Sequence, residues 1–455
     1  MCKQWLNHTS GAVMPLMALS IIMLVGMTGA AVDTGRAQLV QSKLSSALDA
    51  AGLAAGSNIN TQDVQAEVQK YFDANFPDRY LGSEVTELIA NVSEDNTVIS
   101  LSAEAVVPVR IMQVMGFDTI TVRATSEITR QTKGLEVVLV LDTTGSMCTP
   151  CSKINALKEA AHELIGILYG DEVNPEDLYV GIVPFSQNVN VGNTRTTWRD
   201  PTHWATLNWR GVTWAGCVEE RFNGRDVTDD PPSVEPFRAF FWADTNSGNY
   251  TNDWLTNSGN LRSGIGYGLG PNKHCTTNRL TPMTTSRTTL DNSIANLTTN
   301  GNTHVNVGAV WGWRMLSPRW RGLWGGSMDT NNLPLDYDTP LMNKAVIIMT
   351  DGENVYSNTT RTSYGYITDN RLGTTNQTTA ARRLDTRLSQ VCESMKQENI
   401  LVYTVAFDAP GANIENLLRA CASNPDYFFN SPTPEDLSAA FKAIGDSLSN
   451  LRVSR

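Results

Sequence analysis

Charge is scarce in this chain. Of 455 residues only 18% are Asp, Glu, Lys or Arg, and 46 acids against 35 bases leave a formal net charge of −11. No dense Lys/Arg cluster breaks that balance, so the basic face that nucleic-acid binding requires is missing. Histidine is rarer still: His8, His162, His203, His274 and His304 are scattered and form no HExxH-like pair, which argues against a hydrolytic zinc site. No nucleophile elbow, Walker loop or glycosidase pair of carboxylates stands out. The glycine run Gly264, Gly266, Gly268 and Gly270 follows no buried strand and opens no helix, so phosphate binding is set aside. Glycine (34) and proline (19) occur at ordinary frequency, which excludes collagen-like or low-complexity architecture. Seven cysteines are too few for a disulfide scaffold; six of them follow the first apolar segment, as suits an oxidising compartment. What remains is an apolar chain, 41% hydrophobic and long enough for two or three domains with real cores.

Residues 12–32 (AVMPLMALSIIMLVGMTGAAV) carry no charge. As a helix they rise about 31 Å, the thickness of a bilayer core. Lys3 precedes them without an acid, so residues 1–11 are expected to stay cytoplasmic and the bulk of the chain to be exported. A cleaved signal peptide is the rival, since Gly29 to Ala31 offer small residues at a cleavage position. The anchor is favoured because Ala37, Val40, Leu44, Ala47, Leu48 and Ala51 continue at helical spacing as an amphipathic rod. A short helix is expected over 61–76. Period-2 patterns at Ile99–Val109 and Ile120–Ile128 predict half-buried strands, with IMQVMGF (111–117) between them as a helical crossover or an apolar contact surface. Residues 33–132 therefore read as a stalk helix with a small α+β region.

The second half, 133–455, reads as strands buried on both faces alternating with helices. LEVVLVL (135–141), LYVGIVPF (178–185), KAVIIMT (344–350), ILVYTVAF (400–407) and YFF (427–429) are the strands. Helices are expected over 153–168, 376–397, 412–422 and 434–449. This alternation predicts an α/β fold with a doubly wound, mostly parallel sheet, whose ligands gather at the carboxyl edge. That edge would carry Asp142, Thr144, Ser146 and Asp351. In Asp-x-Thr-x-Ser, side chains two apart share a face, and two carboxylates with neutral oxygens suit a hard divalent cation.

On these residues the sequence resembles the von Willebrand factor A domain, whose metal-ion-dependent adhesion site has the pattern Asp-x-Ser/Thr-x-Ser, then a Thr, then an Asp. Asp142, Thr144 and Ser146 match its first element and Asp351 in MTDGEN its last. Thr303 in NGNTHVNVGAV matches the middle threonine, with Thr298 and Thr299 close by as alternatives. The resemblance implies bound Mg2+, with Mn2+ able to substitute, and an open coordination position for an acidic residue of a protein partner. The N-terminal segment from Gly11 to Ala55, together with WGWRMLSP, CASNPDYFF and FKAIGDSLSNLRVSR, resembles TadG-like proteins of the tight-adherence (Flp) pilus machinery. That resemblance implies a non-enzymatic, single-pass protein of the bacterial inner membrane, its bulk periplasmic and its partner a pilus-assembly component. A surface adhesin for host or matrix ligands is the alternative, ahead of a secreted hydrolase or redox enzyme.

Residues 186–284 fit no element of that fold and read as an insertion. They hold Trp198, Trp204, Trp209, Trp214, Trp242 and Trp254, six of eleven tryptophans, either as a recognition surface beside the metal or as the insertion's own small core. Cys148 and Cys151 in CTPC point to a local disulfide, with Cys217 or Cys275 as other partners. Cys392 and Cys421 lie on consecutive helices that can pack on one sheet face, within the roughly 6 Å between Cα atoms that a bridge needs.

Overall fold

The computed structural model describes residues 13–57, 64–93, 98–129, 134–170, 172–175, 177–246, 248–265, 269–408 and 411–452. The chain divides into two compact units, one ending at residue 132 and one beginning at 133.

The first unit is built on one helix, α1 (Val13–Ser57), joined by α2 (Val64–Asn75) and three strands: β1 (Glu84–Val92), β2 (Val98–Pro108) and β3 (Thr119–Thr129). The strands form an antiparallel sheet in the order β1-β2-β3. Alternation along β2 buries Ile99, Leu101, Ala103, Ala105 and Val107 on one face. The helical stripe Ala37, Val40, Leu44, Ala47, Leu48 and Ala51 lies against them, with Val68 and Phe72 of α2 completing the core. The strand β1 has no counterpart in the sequence reading. Its polar, weakly alternating run EVTELIANV stays mostly exposed. Among the described residues α1 is the one helix long and apolar enough to cross a membrane.

The second unit is a three-layered α/β domain. Its elements are β4 (Gly134–Asp142), α3 (Ser152–Tyr169), β5 (Leu178–Phe185), α4 (Pro201–Thr206), β6 (Thr281–Thr284), α5 (Arg287–Ala295), α6 (Val305–Leu316), α7 (Gly326–Thr330), β7 (Met342–Thr350), α8 (Gln377–Gln397), β8 (Leu401–Phe407), α9 (Ala412–Cys421), β9 (Phe428–Ser431) and α10 (Pro434–Arg452). The sheet runs β6-β5-β4-β7-β8-β9, parallel throughout except for β6. Side chains alternate along β4: Val138 and Val140 face α6 and α8, while Leu135, Val137, Leu139 and Leu141 face α3 and α10. The sheet is doubly wound as expected. One boundary is corrected: residues 281–284 are the antiparallel edge strand β6 and not part of the insertion. Four residues with a proline at the second position are too short and interrupted for a pattern to reveal.

The tryptophans are corrected too. Trp198, Trp209 and Trp214 bury themselves in the same core as Trp311, Trp320 and Trp324, on the α6 face of the sheet. Trp198 stacks on Trp311 with ring centroids 6.2 Å apart and meets Trp320 edge-on at 5.1 Å. Trp242 packs with Phe240 and the Cys217–Cys275 disulfide in a small satellite cluster, Trp254 is buried, and Trp204 is half-buried. They form neither an exposed recognition surface nor, for the most part, a separate core. Acids of the insertion are also paired. Asp229 accepts from Ser317 Oγ and Arg319, and Glu220 is buried against Arg314. The bridges Cys148–Cys151 and Cys392–Cys421 are both formed, the latter joining α8 to α9 with Cα atoms 5.2 Å apart. Residues 266–268 of the glycine run lie outside the described residues.

Candidate metal centre

The carboxyl ends of β4 and β7 lie side by side because the two strands pair in parallel, Leu141 against Met349. Asp142 and Asp351 therefore emerge next to each other. After Asp142 the chain leaves the sheet in an extended step at Thr144 and a short 3-10 turn (Gly145–Cys148) before α3. Loop 298–304 crosses the same edge, pinned by Asn300 N–H donating to Thr143 O (2.9 Å) and Gly145 N–H donating to Gly301 O (2.9 Å). Gln187 fastens it from the insertion side, accepting from Asn302 N–H at 2.8 Å and donating to Arg361 O at 2.9 Å.

These tethers place the five predicted residues in one hydrogen-bonded cluster. Thr303 Oγ1 donates to Thr144 Oγ1 at 3.3 Å, Thr144 Oγ1 lies 2.8 Å from Ser146 Oγ, and Ser146 Oγ donates to Asp351 Oδ1 at 2.6 Å. Asp142 Oδ1 accepts from Thr144 N–H at 2.8 Å, and its Oδ2 from Thr350 Oγ1 at 2.6 Å. Thr298 is turned away: its hydroxyl and backbone N–H bond to Asn278. Asp142 and Ser146 do not cap α3, whose first turn takes no side-chain cap. His304 is buried and its Nε2 lies 3.2 Å from Val355 O, a loop hydrogen bond.

Three neighbours escaped the sequence reading. Lys153, the second residue of α3, donates to Asp351 Oδ2 at 2.9 Å and pairs with Asp408 Oδ2 at 2.7 Å. Burial pulls its ammonium pKa down, but the hydrogen bonds to Asp408 and Asp351 outweigh that and hold it above the ordinary value. Thr350 holds the second oxygen of Asp142. Asp408 had a readable signal, an acid directly after a buried strand, the same rule that marks Asp142 and Asp351.

Electrostatics leave one carboxylate unmatched. Asp142 is fully buried, and burial first, then the charge of Asp351, pushes its carboxyl up to about 7. Lys153 neutralises Asp351 and not Asp142. Among the described residues no group of three or more His, Cys, Asp or Glu is placed to hold a metal ion by itself. The donors here are instead two acids and three hydroxyls, oxygen only and low in charge. That set fits a hard divalent cation and not a soft one.

Residues 11–58 match the family model described as putative Flp pilus-assembly TadE/G-like. Among the curated proteins none matches the chain. The chain also has solved structural neighbours. The von Willebrand factor domain of the type V pili tip protein Mfa5 from Porphyromonas gingivalis is 11% identical, covering 71% of this chain and 97% of its own, with a TM-score of 0.38. The pilus adhesin SpaC from Lactobacillus rhamnosus GG is 11% identical over 81% of this chain and 34% of its own, TM-score 0.35. Proximal thread matrix protein 1 from the mussel byssus, in a form with a zinc-occupied MIDAS motif, is 10% identical over 70% of this chain and 46% of its own, TM-score 0.32. The chain thus joins an N-terminal segment that matches the TadE/G-like pilus-assembly family model to an α/β unit built on a doubly wound, mostly parallel sheet.

Proposed function

We propose that this is a membrane-anchored protein of pilus assembly or adhesion that binds a protein partner through a divalent cation. The observation that carries the reading is the cluster in which Asp142, Thr144, Ser146, Thr303 and Asp351 converge at the carboxyl edge of a parallel sheet. These five residues would hold Mg2+ or Mn2+, and the bound ion supplies a hard electrophilic position for a carboxylate oxygen of the partner. The chain's own contribution is to present neutral hydroxyls, so that the ion keeps net positive charge toward the partner. Reading residues 12–32 as the span, with Lys3 before it, gives a single-pass inner-membrane topology with the chain after residue 32 periplasmic.

Two experiments test this. Cross-linked pull-down of pilus-assembly components by the intact protein should depend on Mg2+, fall to background in EDTA and be lost in Asp142→Ala. Capture that survives EDTA overturns the metal-dependent reading. Alkaline phosphatase fused after residue 60 should be active; an inactive fusion overturns the topology.

A further inference from the structure

The β2–β3 loop offers an apolar surface that the adhesion function does not use. Val114, Met115 and Phe117 are exposed at 76%, 55% and 52%, and Ile111 and Met112 flank them. The loop is not loose. Asp33 of α1 accepts the backbone N–H groups of Arg110 (3.0 Å), Ile111 (2.8 Å) and Met112 (2.9 Å). Val109 N–H closes its base by donating to Asp118 O at 3.0 Å. Val114, Gly116 and Phe117 N–H groups donate back to Ile111, Gln113 and Met112 carbonyls. The loop then runs alongside the apolar part of α1 at close range. A Cβ on Gly29 would come within 2.5 Å of Ile111 Cγ2 and 2.9 Å of its Cβ, so glycine is needed there, while at Gly26 the Met115 thioether lies 2.9 Å from where a Cβ would stand.

We infer that residues 111–117 form a second membrane-contacting element, which seats the first unit in the headgroup–acyl boundary and fixes how α1 leaves the bilayer. The inference rests on reading residues 12–32 as a membrane span. Length gives the argument. From Asp33 back to Gly26 is seven residues, about 10 Å of helix. If the loop stayed in water, the helix beyond Gly26 would stay with it. The apolar stretch left for the bilayer, residues 12–25, would then be about 21 Å long against a core of about 30 Å. With the loop embedded, the full stretch is used, and the side chains reach the ~5–10 Å depth typical of interfacial elements. The helix beside it points to lipid and not to a protein groove. Leu16, Met17, Leu19, Ile21, Met23, Leu24, Val25 and Met27 are exposed around the whole circumference, whereas a groove ligand keeps a polar face. The hydroxyls of Ser20 and Thr28 turn back to the carbonyls of Leu16 and Leu24, as hydrocarbon demands. Arg110 and Asp118, both exposed, bracket the loop where headgroups would lie.

The test uses the full chain in phosphatidylethanolamine/phosphatidylglycerol vesicles carrying a radiolabelled phospholipid. The photo-reactive residue benzoylphenylalanine replaces, one at a time, Val114, Phe117, Leu19 in the span and the exposed Glu87 of β1. Illumination should give lipid adducts at 114 and 117 comparable to those at 19 and at least about tenfold above those at 87. Background labelling at 114 and 117 with strong labelling at 19 overturns the loop inference and leaves the anchor standing. Background labelling at all three overturns both. A chain-to-chain adduct at 117 in place of lipid overturns the inference in favour of a protein contact.

Discussion

At the scale of single residues the second unit turns on how Asp142 is balanced. Its carboxyl is buried beside Asp351 and raised to about 7, so in metal-free protein the native state binds a proton that the unfolded chain, near 3.9, has already released. Stability attributable to this group is therefore lost as pH rises from about 4 to about 7, the opposite of a salt-bridged acid. Asp142→Asn removes that loss. In EDTA the variant should melt higher than the parent above pH 7 and differ little at pH 4, while its melting temperature should no longer respond to Mg2+. A variant that melts lower at neutral pH would show that the Thr144 and Thr350 hydrogen bonds outweigh the charge. Lys153 gives the complementary prediction. Its ammonium holds Asp351 Oδ2 and competes with any cation for that oxygen. Lys153→Met should lower the melting temperature in EDTA and enlarge the upward shift on adding Mg2+, because a tighter Kd stabilises by RT ln(1 + [L]/Kd). Differential scanning calorimetry with and without Mg2+ reads both.

Among elements, the strands show what a sequence can reveal. Strands β4, β5, β7 and β8 are mostly apolar runs rich in Val, Ile and Leu, whose burial on both faces follows largely from composition, and the acids at the ends of β4 and β7 mark the edge. Thr303 was legible only through the resemblance: its hydroxyl reaches Thr144 because Gln187, 115 residues away, holds the neighbouring Asn302, and no local pattern encodes that tether. Strands β1 and β6 escaped because exposure and shortness erase alternation. Glu136 was hidden for another reason. It interrupts LEVVLVL, yet it is fully buried, its carboxylate paired with Lys344 and accepting Leu335 N–H at 2.8 Å. Burial pushes its carboxyl up and the Lys344 ammonium down, so the pair survives only by mutual contact. Breaking one side strands a buried charge; replacing both with apolar groups does not. Glu136→Ala should therefore cost roughly 3–5 kcal/mol in urea unfolding, and Glu136→Leu with Lys344→Met should recover most of it. A double variant as unstable as the single one would mean that the pair orients β4 against β7 in a way apolar packing cannot replace.

For the whole molecule, the decisive property is that each unit has a core of its own. The first buries the α1 stripe against the β1-β2-β3 sheet; the second packs two layers of helix on a six-stranded sheet and absorbs the insertion into one of them. A unit with its own core can fold without its neighbour. The residues proposed to hold the cation, and every group bonded to them, lie between Asp142 and Asp408 and so within the second unit. A fragment spanning 134–452 should then be soluble, unfold in one cooperative transition and shift upward in melting temperature with Mg2+ by the same amount as the second unit within the intact chain. Its three disulfides close inside the fragment, so oxidative refolding should need nothing from residues before 134. On the proposed function the apolar helix should contribute location and not affinity. In solution the fragment should capture a purified partner as tightly as the anchored protein does, whereas cells making only the fragment should lose the pilus phenotype. Equal capture with lost phenotype would locate the role of α1 in holding the adhesion unit at the membrane; weakened capture would instead assign part of the binding surface to the first unit.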